Sequence, residues 1–426
     1  MFPDRTIAPD FKVINTIHLA EPKSHVLDNG IPLHVINIGE QPVIRLEVIF
    51  DAGNWYEPVQ GASFFAIKMI AEGTSRITSS EISEAFDKLG AFIDLTHSSD
   101  RSGIVVYCLS RFLPEVLSLV SELIHDSTIP EKELSDLRNI TLQNLRVNKE
   151  KTAYLASTAL RAVLFGAQHP YGRSQDEEVI QTLPLETIKT YFDRFIKNGK
   201  AVVVLAGQVR DHDVKYVNEY LGQLPANSDI SSVSHAPETD YAGKQILIEK
   251  EDSVQSSIRM GRRLFNRHHP DYFKMLVTNE ILGGYFGSRL MKNIREEKGL
   301  TYGISSSVVT LSNEGYFMIG TDVKKEFTQQ TIDEIKKEIG ILQTESVGDD
   351  ELRTVKNFMA GEFTGSLNTA FEVADRRKIL LLDGLPADFF NRYIEQIHAT
   401  TAADIRYIAS TYLRPEDMAE VVVGGK

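Results

Sequence analysis

Two residues in the second half of the chain carry side chains suited to gripping a polarised oxygen. Arg295 and Tyr302 stand seven positions apart in IREEKGLTY (294–302). An arginine presents a rigid fork of donors and keeps its charge at any physiological pH. A tyrosine donates one directed hydrogen bond from a stiff stem. On pattern alone, however, Arg295 beside Glu296 and Glu297 reads as a solvated helix end, and Tyr302 as a core strand residue. The glycine-rich run Gly283-Gly284-Tyr285-Phe286-Gly287 precedes them. It lacks the Lys-Ser/Thr that a phosphate-cradling loop needs, so it reads as a turn or substrate-contact loop. The 11 histidines contain no H-x-x-x-H pair. Only His268 and His269 are adjacent, and neighbours on a regular element diverge. No serine or cysteine nucleophile with a paired base can be located from the sequence.

The elements that must position these residues fall into two similar halves. Val43 to Phe50 alternates as a strand, with Ile44, Leu46, Val48 and Phe50 on one face and Arg45 and Glu47 on the other. Leu33–Asn37 reads as a strand before it. Thr78-Ser79-Ser80-Glu81 is a capping box ahead of a helix that Gly90 closes. A strand pair is expected around 91–96 and 103–109, then helices near 113–125, 130–150 and 185–197, and a strand at 201–206. In the second half, strands are expected at 245–250, 255–261, 303–310 and 316–321. Ile332, Ile335, Ile339 and Leu342 form an apolar helical stripe. EKELSDLRNITLQNL (131–145) resembles DDELRTVKNFMAGEF (349–363), and AVVVLAG (201–207) echoes AEVVVGG (419–425) at nearly the same offset. The fold expected is therefore α+β: two homologous domains, each an antiparallel sheet covered on one face by helices. The polar run Pro225–Pro237 marks the junction. It divides the chain into 1–225, a linker at 226–242, and 243–426.

The formal net charge of −13, with no basic stripe to offset it, argues against nucleic acid as a partner. No run of about 18 apolar residues appears, so no membrane span is expected. The start, MFPDRTIAPDFK, lacks a secretory apolar core. With a single cysteine, Cys108, a cytoplasmic location is the expectation.

Several stretches together resemble the pitrilysin/insulinase family of zinc metallopeptidases, which includes the processing peptidases. They are LDNGIPLHVI (27–36), DAGNWYEP (51–58), AEGTS (71–75), GAFID (90–94), HPYGR (169–173) and GGYFGSRLMKNIREEKGLTYGISSS (283–307). The resemblance spans almost the whole chain. Active members of the family carry an inverted H-x-x-E-H motif. At its positions this sequence, GASFFAIKM, has Phe64, Ile67 and Lys68, and the later glutamate ligand falls at Asn144. None of the first three can ligate a metal or act as a general base at neutral pH. The edge strand that binds substrate in active members normally reads G-A-x-x-N-A; here Asp94 and Leu95 stand at its Asn and Ala positions.

The second half departs less. The resemblance implies that Arg295 and Tyr302 grip the substrate carbonyl and help hold the oxyanion that forms as water attacks. It also implies that Gly283, Gly284 and Gly287 contact substrate. The expectation is a catalytically incomplete subunit of a heterodimeric zinc metalloendopeptidase. No metal is expected in this chain, the zinc residing in a homologous partner chain, and a peptide or unfolded protein is the expected substrate. The alternative is a structural or substrate-recognition homologue without a catalytic share.

Overall fold

The computed structural model describes residues 14, 16–17, 19–226, 234–237 and 240–425. Of the segment expected to link the halves, residues 227–233 and 238–239 lie outside the described residues.

Among the described residues eleven strands form two sheets. The first contains β1 (Lys23–Val26), β2 (Pro32–Asn37), β3 (Val43–Phe50), β4 (Phe92–His97), β5 (Ser102–Leu109) and β6 (Ala201–Gly207), in the order β1-β2-β6-β3-β5-β4. The second contains β7 (Gln245–Glu249), β8 (Gln255–Leu264), β9 (Thr301–Thr310), β10 (Gly315–Lys324) and β11 (Ala419–Gly424), in the order β7-β11-β8-β10-β9. With β1 set aside, the two orders are the same. In each sheet one pair is parallel, β2 with β6 and β7 with β11, and the other pairs are antiparallel. The echoing sequences 201–207 and 419–425 are thus the same strand of two copies of one unit. The capping box forms as expected: Thr78 and Glu81 exchange both hydrogen bonds at the start of helix Ser79–Lys88.

Each sheet buries one face under its own helices, in two large apolar cores. The other face is covered as well, which the sequence reading did not anticipate. Helix Thr152–Phe165 of the first half packs on β8 and β11, and helix Ala370–Asp383 of the second half packs on β6 and β2. This reciprocal exchange of helices explains why Arg45 and Glu47 are buried. Arg45 makes a paired contact with Asp375 (2.9 and 3.2 Å) and lies 2.6 Å from Glu47, which meets Lys378 at 2.7 Å. Tyr171, from the HPYGR stretch, joins the halves again by donating to Asp100 at 2.6 Å and accepting from Asn313. No helix among the described residues is long and apolar enough to cross a membrane.

Candidate functional site

Helix Ala62–Lys68 lies against β4, the edge strand of the first sheet. It holds three of the four positions where the family resemblance places metal-site residues. Ile67 is fully buried in the core. Phe64 packs edge-on against the His97 ring, centroids 5.6 Å apart. Lys68 turns its ammonium to the carbonyl of Leu95 on β4, to which it donates a hydrogen bond. Asn144 is exposed on helix Glu131–Lys149. These residues do not fit zinc: two are hydrocarbon, one is a cation already bonded, and one is a neutral amide. Among the described residues no group of three or more His, Cys, Asp or Glu could hold a metal ion.

A buried polar network stitches the start of this helix to its surroundings. Ser63 Oγ donates to Glu57 Oε2 at 2.6 Å, and Ser63 N donates to the same oxygen at 3.0 Å. Glu57 is ion-paired to Arg173 at 2.7 Å. His97 Nε2 lies 2.9 Å from Ser63 Oγ. The pair has the residue types of a nucleophile and its base, but the proton traffic runs the wrong way. The Ser63 hydroxyl has one hydrogen and gives it to a carboxylate, so His97 donates to Ser63 instead of accepting. Ser63 is also wholly buried. The network is a structural pin between the helix and β4. Glu57 and Arg173 come from DAGNWYEP and HPYGR, two stretches read only as similarities; their opposite charges were the available signal.

Burial, with Lys68 nearby, pushes the His97 pKa down to about 4. An imidazole that resists protonation when folded binds fewer protons than it does unfolded between pH 6.5 and 4. Its contribution is therefore fully present above pH 6.5 and lost as pH falls through that window. Chemical denaturation at pH 7 and pH 4 should differ by about 3 kcal/mol from this group, and His97→Gln should remove that share.

In the second half the structure brings Arg295 and Tyr302 together. Arg295 sits in a π-helical segment, Met291–Glu297, and Tyr302 near the start of β9, the edge strand of the second sheet. The Arg295 Cζ lies 5.4 Å from the centre of the Tyr302 ring. Tyr302 is 92% exposed, so it is no core strand residue as its pattern alone suggested. Arg295 is half-buried and, despite Glu296 and Glu297 beside it, forms no ion pair or side-chain hydrogen bond among the described residues. π-Helical turns recur at functional sites because the extra residue re-aims a side chain. A cation and a phenol presented together at a sheet edge, neither engaged by a carboxylate, can converge on one acceptor oxygen. Gly283 is buried, and a side chain there would strike Ser306 at 2.6 Å, so its role is to let the segment approach β9. Gly284 is exposed and Gly287 half-exposed. No hydrogen bond, ion pair or ring contact among the described residues joins Arg295 or Tyr302 to Phe64, Ile67, Lys68 or Asn144.

The model of the insulinase family, peptidase family M16, matches residues 35–170, and that of the peptidase M16 inactive domain matches residues 182–359. A Bacillus subtilis protein named "Uncharacterized zinc protease YmxG" is 22% identical over 351 residues, 82% of this chain and 85% of its own. A Helicobacter pylori protein named "Non-peptidase homolog YmxG" is 24% identical over 377 residues, 86% and 84% of the two chains. A solved peptidase M16 inactive domain from Pseudomonas fluorescens superposes with a TM-score of 0.85 over 95% of this chain and 98% of that one, at 24% identity. That likeness establishes the fold.

Proposed function

This chain belongs to the insulinase family, peptidase family M16, and from that premise we propose that it is the catalytically incomplete member of a two-chain metalloendopeptidase. A homologous partner bearing H-x-x-E-H would supply the zinc and the general base. This chain would supply Arg295 and Tyr302, with its glycine segment 283–287 beside them, to hold the carbonyl oxygen of a peptide or unfolded-protein substrate. Oxyanion stabilisation requires donors placed to within about an ångström, and the requirement is indifferent to which chain carries them. The observation that carries this reading is a contrast within one molecule. The metal position is filled by Phe64, Ile67 and Lys68 with their own packing and bonds, while half-buried Arg295 and exposed Tyr302 stand together with no ion pair or side-chain hydrogen bond among the described residues.

A second reading, a recognition or structural homologue with no catalytic share, draws support from the Helicobacter relative named as a non-peptidase. Retention of the arginine beside an exposed tyrosine favours the first.

Elemental analysis of the isolated chain purified in zinc-containing buffer should find far less than one zinc per chain. One zinc per chain would sink the two-chain assignment. The functional test is to mix the chain with an H-x-x-E-H family member from the same organism and follow a quenched peptide. Activity confined to the mixture, and lowered by Arg295→Ala or Tyr302→Phe, supports shared catalysis; full activity from the zinc-bearing chain alone refutes it.

A further inference from the structure

Arg295 has a second aromatic neighbour, one that no motif singles out. Its Cζ lies 4.6 Å from the centre of the Phe286 ring, nearer than the 5.4 Å to Tyr302. Phe286 is 65% exposed, so core packing does not explain where it sits. The glycine segment does. Tyr285 closes the π-helical turn Glu280–Gly284 with extended backbone (φ −132°, ψ 172°), and a tight turn follows at once: Ser288 N donates to the Tyr285 carbonyl at 3.1 Å, which puts Phe286 and Gly287 at the corner. Tyr285 lies on Phe358 of helix Asp349–Gly365, ring centres 5.0 Å apart. A Cβ on Gly287 would meet the Tyr285 ring at 2.8 Å, and one on Gly284 would meet Glu280 Oε2 at 2.4 Å. The missing side chain of Gly287 thus makes room for Tyr285 to seat on the helix, that of Gly284 clears Glu280, and the turn after Tyr285 carries Phe286 to Arg295.

We infer that Phe286 is a positioning residue of the arginine–tyrosine site, its ring fixing the direction in which the Arg295 guanidinium points. The inference rests on the function proposed above for Arg295 and Tyr302, and it adds a third member and a role for Gly287. An arginine stem has many rotamers, and among the described residues no carboxylate pairs with Arg295 to select one. Two ring faces attract the guanidinium through their quadrupoles without occupying its N–H donors. The donors remain available to an acceptor oxygen, which a carboxylate partner would have taken. Gly287 then acts through Tyr285 and Phe286, not by touching substrate.

The test has two arms. In the isolated chain labelled with 15N-arginine, the Arg295 Nε–Hε signal should be ring-shifted and ordered. Phe286→Leu should move it toward the free-arginine position and lower its order parameter, while Phe286→Trp keeps it, with the melting temperature unchanged in both. In the mixed two-chain enzyme, Phe286→Leu should lower kcat/KM about fivefold, Phe286→Trp should restore it, and the loss should vanish in an Arg295→Ala background. An Arg295 signal indifferent to Phe286→Leu overturns the inference, as does a loss that persists undiminished without Arg295. If the signal responds as expected but Arg295→Ala leaves turnover intact, the catalytic reading of Arg295 falls, and Phe286 stands as the residue that holds it.

Discussion

Arg295→Ala in the proposed two-chain enzyme is expected to lower turnover by about a hundredfold or more while leaving assembly intact. Removing one donor from a preorganised oxyanion site costs on that scale because the lost interaction strengthens as negative charge develops on oxygen. The structure adds a reason for assembly to survive. Arg295 makes no ion pair or side-chain hydrogen bond within its own chain among the described residues, so truncating it strands no buried partner. Tyr302→Phe should lower kcat in the same sense, since the ring that lies by Arg295 remains and only the hydroxyl donor is gone. A change confined to KM would show that the pair contributes uniform binding and not transition-state stabilisation.

Arg173→Met is expected to destabilise the fold by about 3 kcal/mol or more. Its guanidinium meets Glu57 at 2.7 Å, and the Glu57 side chain is 1% exposed. Without Arg173 the carboxylate keeps its bonds from Ser63 and from the Gly61 backbone but no counter-charge, and an unpaired buried charge is strongly unfavourable. Burial already raises the Glu57 pKa above its ordinary value, with Arg173 opposing the rise. In the variant that opposition is gone, so the folded state takes up a proton more readily than the unfolded chain. The deficit relative to wild type should therefore shrink as pH falls and grow as pH rises through the carboxyl's folded pKa. Comparing wild type and variant at each pH cancels the His97 contribution, which the two share. Pairing Arg173→Met with Glu57→Gln should recover much of the loss, because the amide can still accept from Ser63 without a charge. Urea midpoints for the single and double variants would decide this. Equal losses in both would assign the effect to packing.

Much of this fold is legible in the residues themselves. Strict alternation over Val43–Phe50, the Thr78–Glu81 box and the Ile332–Leu342 stripe each reports local physics, and each element forms where its pattern lies. The duplication is legible too, because the echoing segments become the same strand and the same helix of two units. What escapes is the exchange of helices 152–165 and 370–383. Arg45 and Glu47 look like a solvent face because their partners, Asp375 and Lys378, lie more than three hundred positions away. At the candidate site, the stretches that resemble the family single out Phe64, Ile67, Lys68 and Asn144 and the Arg295–Tyr302 pair, which residue pattern alone does not. They do not reveal that Lys68 bonds β4, that Ser63 and His97 form a pin, or that Phe286 flanks Arg295. Each of those depends on a strand edge or turn set by tertiary packing, which local patterns do not encode.

The central claim is that this chain holds no catalytic metal yet lends two groups to a chain that does. Peptide hydrolysis measured with each purified chain and with their mixture tests it most directly. The account predicts turnover only in the mixture, reduced about a hundredfold by Arg295→Ala in this chain. Chelator-sensitive hydrolysis by this chain on its own would contradict it.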